Sequence, residues 1–239
     1  MNVFEKLFGI DPQKIKKTCI LTPFLTKNLL QQFDIKKLEK GFLYKCANTK
    51  NFTLIHTGIG TPFVGDAVLY LKDTDCQNIF FFGSCGLIES SDNLNIGSLV
   101  TPSSSLAIEG FTQVLNQEFD SINVTFPHKK LLEKFNKNHS KKTHNVICAS
   151  FGSLKLEEEN LNFLKKNNVQ ALDMETSSFF HAATKIKRRA LALLYVTDII
   201  KEKPFYRQYT SEDKIAVESA INQSVEILKR ACGTSLLTQ

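Results

Sequence analysis

The chain has 239 residues, a hydrophobic content of 42% and a formal net charge of +6. This length and hydrophobic content suffice for one domain with a full core and exclude an intrinsically disordered chain. The charge comes mainly from lysines spread along the sequence, whereas a nucleic-acid-binding protein concentrates basic residues, preferably arginines, on one face. We therefore expect no nucleic-acid partner and interpret the charge as solvation, with some attraction for an anionic substrate. The arginines are Arg188, Arg189, Arg207 and Arg230.

The six cysteines form no CxxC pair and have no histidine at the spacing of a zinc site. This pattern predicts reduced thiols in a cytoplasmic protein and no bound metal. The first residues include an acidic side chain and do not resemble a signal peptide. The longest apolar runs, such as residues 79–82 and 190–196, are far shorter than the ~20 residues that cross a bilayer, so we expect no membrane partner.

The first part of the chain predicts a short helical arm over residues 1–17, followed by a strand, a helix and a hairpin. The strand covers residues 18–21, the helix 26–33, and the hairpin 42–46 with 52–56. A glycine turn at residues 57–60 then leads into a helix from Pro62 to about Leu71. Its third glycine, Gly65, is one place too late for a dinucleotide fingerprint, so we expect no nucleotide cofactor.

The most hydrophobic segment, residues 78–82, predicts a central parallel strand. It leads into Gly83-Ser84-Cys85-Gly86, which we interpret as a tight turn whose glycines let the backbone approach a ligand and whose serine offers a hydroxyl. Residues 96–101 predict another strand. Residues 102–126 then predict a long irregular loop, which in a compact domain is usually functional or part of an interface.

The second half of the chain alternates helices and strands. Helices are predicted over residues 128–137, 157–166, 176–185 and from a cap at Thr210 to Gly233, and strands over 145–149, 171–173 and 191–198. This alternation predicts an α/β protein, a three-layer α/β/α sandwich with a central, mostly parallel mixed sheet. We expect a single domain over residues 1–239, with a loose tail at 234–239.

Two acidic residues follow or end predicted buried strands. Glu175 lies just after the strand at 171–173, and Asp198 ends the strand at 191–198; open α/β sheets bind their ligands at this edge. A carboxylate can accept hydrogen bonds from both hydroxyls of a sugar diol. An acid at the end of an apolar strand has a raised pKa and can donate a proton. The competing interpretation is that both acids only cap the helices that follow.

Four short motifs, in this order and at these separations, resemble the nucleoside phosphorylase and nucleosidase superfamily. The resemblance covers roughly residues 18–231. Its motifs are Thr-Gly-Ile-Gly at 57–60, Gly-Ser-Cys-Gly at 83–86 with Ile-Gly-Ser-Leu-Val at 96–100, Asp-Met-Glu-Thr at 173–176, and Thr-Asp at 197–198.

The resemblance implies roles for individual residues. Glu175 would bind the ribose 2′ and 3′ hydroxyls, and Met174 would pack on the sugar. Phe151 would stack on the base. Asp198, helped by Arg207, would protonate or hydrogen-bond N7 of a purine leaving group. Further substrate contacts are expected at Gly60, Ser84, Cys85 and Gly86.

The implied reaction is phosphorolysis of a purine nucleoside to the free base and ribose 1-phosphate, with phosphate as co-substrate and no cofactor. The resemblance also implies a homodimer or homohexamer. Two departures from the family leave alternatives open. Family phosphorylases bind phosphate with two arginines, which are replaced here in the loop at 21–26 and at Phe81. The methylthioadenosine/S-adenosylhomocysteine nucleosidases position the attacking water with a glutamate, and no acidic residue lies between residues 18 and 32. The alternatives are hydrolysis by such a nucleosidase and nucleoside binding without catalysis.

Overall fold

The computed structural model of the protein describes residues 2–119, 122–139 and 142–233. Within these ranges the chain forms a ten-stranded sheet and its covering helices. The strands are β1 Thr18–Thr22, β2 Glu39–Lys40, β3 Lys45–Asn48, β4 Thr53–His56, β5 Asn78–Leu87, β6 Leu99–Ile108, β7 Val124–Thr125, β8 His144–Phe151, β9 Ala171–Asp173 and β10 Arg189–Ile199. The helices are α1 Val3–Phe8, α2 Lys27–Gln32, α3 Thr61–Tyr70, α4 Phe111–Leu115, α5 Lys129–His139, α6 Leu154–Glu159, α7 Leu161–Lys166, α8 Thr176–Lys185 and α9 Ser211–Gly233.

The strand order is β10-β6-β8-β9-β5-β1-β4-β3-β2, and β7 pairs with β6. The two longest ladders, β5 with β10 and β6 with β8, are parallel, whereas β9 pairs antiparallel with β5. Because β10 pairs with both β5 and β6, the path β5-β9-β8-β6-β10 closes on itself. The mixed sheet is therefore curled at one side, and β5 lies at its centre, next to β1, β9 and β10.

Alternate residues of β5 face two different helix layers, as the two-residue period of a strand requires. Ile79 and Phe81 join the core cluster that includes residues of α3 and α8. Phe80 and Phe82 join the opposite cluster, which includes residues of α2, α5 and α9. All four side chains are fully buried. This arrangement confirms the predicted three-layer α/β/α sandwich.

The first helix packs against its own chain. Asn2 caps α1 by accepting a hydrogen bond from the backbone amide of Glu5 at 2.7 Å. The rings of Phe4 and Phe8 stack with centroids 4.2 Å apart, and Phe8 lies 4.4 Å from the ring of Tyr44. The segment predicted as an arm therefore contributes two aromatic side chains to the core. The predicted tail at 234–239 lies outside the described residues.

Two predicted irregular segments are regular strand in the structure. The predicted turn at 83–86 belongs to β5, because hydrogen bonding to β10 continues as far as Leu87. The predicted loop at 102–126 begins as the second half of β6, which runs to Ile108 and is followed by α4 and β7. Pro102, which cannot donate to a ladder, lies at an irregularity in the pairing of β6 with β8, so the strand continues past it.

The predicted helix at 157–166 is two short helices, α6 and α7. They meet at Asn160, whose side-chain amide donates to the carbonyl of Leu156 at 2.8 Å. The first of them begins earlier than predicted, after the cap Ser153. Among the described residues, no helix combines the length and apolar composition that crossing a membrane requires.

Candidate active site

A cavity of about 300 Å³ lies where β1, β5, β9 and β10 end. This is the edge at which open α/β sheets bind their ligands. Four carboxyl groups line it, from the ends of two strands and from one short helix, together with apolar side chains. The lining residues are Pro23, Phe24, Ile59, Ser84, Cys85, Gly86, Leu154, Glu157, Leu172, Asp173, Met174, Glu175, Thr197, Asp198 and Phe205.

Glu175 is held at the start of α8 by two backbone amides. Its carboxylate accepts from the amide of Gly60 at 2.6 Å and from that of Met174 at 3.3 Å. The residue is only 4% exposed. Burial, followed by the nearby charge of Asp173, raises the pKa of Glu175 to about 8. Gly60, predicted to contact the substrate, thus contributes an amide that positions Glu175.

Asp173 fixes the turn between β9 and α8. Its carboxylate accepts from the Ser150 hydroxyl at 2.7 Å, and from the hydroxyl and the backbone amide of Thr176, each at 2.9 Å. Burial raises the pKa of Asp173 to about 6, against the effect of these hydrogen bonds. The turn that presents Met174 and Glu175 is therefore tied to β8 by a buried polar network.

Asp198 reaches the same cavity from β10. It pairs with Gly86 of β5 across an irregularity in the ladder, and its carboxylate accepts from the Thr197 hydroxyl at 2.7 Å. Burial raises the pKa of Asp198, against the effect of that hydrogen bond. A Cβ atom on Gly86 would lie 2.7 Å from Oδ2 of Asp198. The missing side chain at position 86 therefore leaves room for the acid.

The β5 residues Ser84 and Cys85 differ in accessibility. Ser84 is partly buried and lines the cavity, with its hydroxyl available to a ligand. Cys85 is only 3% exposed, and its thiol lies 3.8 Å from the carbonyl of Tyr195. Burial, with the charges of Asp173 and Asp198, raises the pKa of the Cys85 thiol well above its ordinary value. The protonated thiol is a wall of the cavity and a poor nucleophile.

The sequence analysis missed a fourth acid, Glu157, which lies on α6 and is 8% exposed. Burial, followed by the charge of Asp198, raises its pKa to about 8. The sequence around it does not indicate burial, because three consecutive glutamates usually form a solvated helix face. A usable signal is the spacing of Lys155 and Glu159, which lie four residues apart and form an ion pair on one face of the helix. Glu157, midway between them, therefore lies on the opposite face.

Two predicted site residues lie elsewhere. The ring of Phe151 is 1% exposed and packs in a core cluster with Ile108 and Leu156, so it is not placed to stack on a base in the cavity. Arg207 donates to the carboxylate of Asp213 at the start of α9 and to the carbonyl of Gln208 at 3.3 Å. It therefore anchors that helix and does not line the cavity. Leu154 and Phe205 are among the apolar side chains that do line the cavity.

The arrangement places hydrogen-bond acceptors and a proton donor around one small volume. Glu175 can accept from paired hydroxyls, and Asp198, with its raised pKa, can donate a proton. Within residues 2–119, 122–139 and 142–233, no group of three or more histidine, cysteine, aspartate or glutamate side chains is arranged to hold a metal ion.

Comparison with known proteins identifies the superfamily to which the chain belongs. The model of the phosphorylase superfamily matches residues 22–232, so the chain belongs to that superfamily. It is 26% identical over 187 residues to a DeoD-type purine nucleoside phosphorylase of Brevibacillus brevis, covering 74% of each chain.

Two solved structures share the fold. Uridine phosphorylase of Vibrio fischeri has a TM-score of 0.74 at 19% identity, covering 94% of this chain and 95% of that one. The 5′-methylthioadenosine/S-adenosylhomocysteine nucleosidase of Campylobacter jejuni has a TM-score of 0.72 at 16% identity, with coverages of 91% and 98%.

Proposed function

We propose that this protein cleaves the N-glycosidic bond of a purine nucleoside. The observation that carries the proposal is that Glu175 and Asp198, from different strand ends, line one cavity. Cleavage of this bond develops positive charge on the sugar and negative charge on the departing base. A site for it needs acceptors around the sugar and a proton donor at the base, and these two acids match those needs.

Each acid is suited to its role by its surroundings. The two backbone amides hold the Glu175 carboxylate in one orientation, so that the sugar hydroxyls meet a fixed acceptor. Donation from those hydroxyls favours the charged form of Glu175 and offsets the effect of burial. Asp198 has a raised pKa and carries its proton to a higher pH than an exposed aspartate does, which suits a general acid.

The first candidate for the acceptor of the sugar is phosphate, which makes the reaction a phosphorolysis. The curated relatives at 26% identity are named purine nucleoside phosphorylases. The hydroxyl of Ser84, on the cavity wall beside Gly86, is a donor that a phosphate oxygen can use.

Water is the second candidate, and the charge of the cavity favours it. The carboxyl groups of Glu157, Asp173, Glu175 and Asp198 share a wall of one small volume. Each ionised carboxylate repels an incoming phosphate in a poorly solvated site, whereas neutral water meets no such barrier.

The test is release of free base from adenosine, inosine and 5′-methylthioadenosine, followed by chromatography with and without phosphate. Release that requires phosphate, together with ribose 1-phosphate as product, supports phosphorolysis. Equal release without phosphate supports hydrolysis. Binding of the nucleosides without release contradicts the proposed enzyme and leaves a nucleoside-binding protein.

We also propose that the protein self-associates through the outer face of α3. Phe63 and Leu69 of this helix are 44% and 43% exposed, and Ile59 just before it is 61% exposed. Leu69 also lines a second cavity of about 540 Å³ between α3 and α8. Exposed apolar side chains close together on one segment are typical of protein interfaces.

A further inference from the structure

The side chain of Glu157 is largely buried, and the residue lines the cavity. The residue is 8% exposed, and within the described part of the chain its side chain makes no hydrogen bond or ion pair. Its neighbours differ, because Glu158 is partly buried and Glu159 is exposed and pairs with Lys155 at 3.2 Å. Of the three consecutive glutamates, Glu157 is the one that lines the cavity, and it has no hydrogen-bond partner within the described residues.

A largely buried acid of this kind is unfavourable for the fold in its ionised form. An acid that lines a cavity and has no internal partner is more typical of a functional site than of a structural one. A hydrophobic residue at position 157 would pack against the cavity wall without that cost. The carboxyl group therefore points to a hydrogen bond made by a ligand.

The position of Glu157 indicates which part of the ligand it meets. Glu157 and Asp198 line the same cavity, and after burial the charge of Asp198 contributes most to the raised pKa of Glu157, so the two carboxyl groups lie near each other. The apolar side chains of Leu154 and Phe205 line the same wall and can flank a planar ring. In the proposed function, Asp198 protonates the five-membered ring of the purine. The six-membered ring then extends along this wall.

We propose that Glu157 contacts the six-membered ring of the base and selects purines that present an N–H donor there. This inference rests on the proposed function and names the specificity residue of the same site. The donor is either the exocyclic amino group of a 6-aminopurine or the ring N–H of a 6-oxopurine. The ionised carboxylate accepts from either one, whereas a purine without such a donor leaves it unpaired. Because burial raises the pKa of Glu157 to about 8, the substrates are compared at about pH 9, where this group is mostly ionised.

The test compares adenosine, inosine and purine riboside, which has no N–H on the six-membered ring. Glu157→Met removes the acceptor and keeps most of the volume. We expect kcat/KM for adenosine or inosine to fall at least about ten-fold, and that for purine riboside to change less than about three-fold. The nucleoside with the larger loss identifies the donor. Glu157→Gln, which keeps one acceptor oxygen, should recover part of the loss.

Two controls distinguish a contact between Glu157 and the base from a role of Glu157 in the stability of the fold. Glu159→Met, on the exposed side of the same helix, should leave all three substrates unaffected. The melting temperature of Glu157→Met should equal or exceed that of the wild type, because an unpaired acid has been replaced by an apolar side chain. A lower melting temperature with losses on all three substrates would mean that Glu157 supports the fold.

Equal losses on the three nucleosides, or no loss on any, would overturn the assignment of Glu157 while leaving bond cleavage intact. If the wild type cleaves none of them, the proposed reaction fails. The role of Glu157 is then decided by the Kd of adenosine, inosine and purine riboside, measured by calorimetry for the wild type and for Glu157→Met. Weaker binding of adenosine or inosine, but not of purine riboside, by Glu157→Met supports the contact, and unchanged binding contradicts it.

Discussion

Asp198 lies on β10 opposite Gly86, and burial raises its pKa while the Thr197 hydroxyl, 2.7 Å away, holds its carboxyl group. Tyr209 supports the same segment by donating from its hydroxyl to the carbonyl of Thr197 at 3.0 Å. The carboxyl group of Asp198 is thus held in one orientation, and its affinity for the proton is raised. Both properties are needed by a group that protonates a leaving base.

Asp198→Asn should keep the shape of the site and remove the proton donor. We expect kcat with a purine nucleoside to fall by about 100-fold or more, the range of general acid catalysis, while KM changes little. Steady-state kinetics on adenosine and inosine measure this. Asp92→Asn, at an exposed position, is the matched control. Full activity of Asp198→Asn would show that another group protonates the base.

At the residue scale, the sequence identified those acids that follow a buried strand. Glu175 and Asp198 were found because their strands are apolar and end where ligands bind. Glu157 could not be found in this way, since its burial depends on how α6 packs beside the cavity. Phe151 was assigned to the base from the resemblance to the superfamily, but the packing of β8 turns its ring into the core.

At the scale of elements, the site depends on two junctions. One is the turn from β9 into α8, where Asp173, Ser150 and Thr176 form a buried network. The other is the close approach of β5 and β10 at Gly86 and Asp198. A structural change at either junction should shift the proposed catalytic acids, Glu175 and Asp198, without substituting them.

Thr176→Val should destabilise the first junction. The variant keeps the shape of threonine but removes the hydroxyl that bonds to Asp173 at 2.9 Å. Loss of a buried hydrogen bond to a charged group should lower the free energy of unfolding by about 1–3 kcal/mol. Urea denaturation measures it. Thr184→Val, at an exposed position of the same helix, should change stability little; equal effects of the two variants would exclude a special role for the network.

Gly86→Ala should disturb the second junction. The new Cβ atom would lie 2.7 Å from Oδ2 of Asp198, so the acid must move away from it. We expect a fall in kcat of about ten-fold or more with a melting temperature within a few degrees of the wild type, because a side-chain end can shift at low cost. Gly65→Ala, where a Cβ would meet Ser178 at 3.6 Å, is the control. Unchanged kcat in Gly86→Ala would contradict the placement of Asp198.

The alternation of strands and helices was predictable because each segment has its own apolar period. The helix at 176–185 begins and ends where the sequence indicated. The segments at 83–86 and 102–108 were misassigned because glycine and proline usually interrupt strands, whereas here pairing with β10 and β8 continues through them. Long-range hydrogen bonding of that kind has no signature within the segment itself.

At the scale of the whole molecule, the buried acids link stability to pH. Burial raises the pKa of Glu157 and Glu175 from 4.5 to about 8. Between these pH values the folded protein retains protons that the unfolded chain has released. The free energy of unfolding that these groups contribute therefore falls as pH rises through this window.

Glu157→Gln should remove part of that dependence. One group contributes a slope of at most about 1.4 kcal/mol per pH unit, so the variant should gain stability relative to the wild type between pH 5 and pH 8. Urea denaturation at the two pH values measures the difference. Glu159→Gln, whose side chain is 55% exposed, should show none. A gain that is equal at both pH values would contradict the raised pKa of Glu157.

Self-association should depend on the apolar face of α3. Phe63→Glu places a charge on this exposed apolar segment, and we expect it to shift the protein to a smaller species in sedimentation velocity at a fixed concentration. Lys72→Glu, an exposed change just beyond this helix, is the control for charge. A wild type that sediments as a monomer at all concentrations would contradict the proposed interface.

The most direct measurement is a crystal structure of the protein with a purine-like C-nucleoside, whose carbon–carbon glycosidic bond cannot be cleaved. We predict that both ribose hydroxyls lie within about 3.2 Å of the Glu175 carboxylate and that the N7 position lies at the same distance from Asp198. A nucleoside bound outside this cavity, or bound with its sugar at Asp198 and its base at Glu175, would contradict the account.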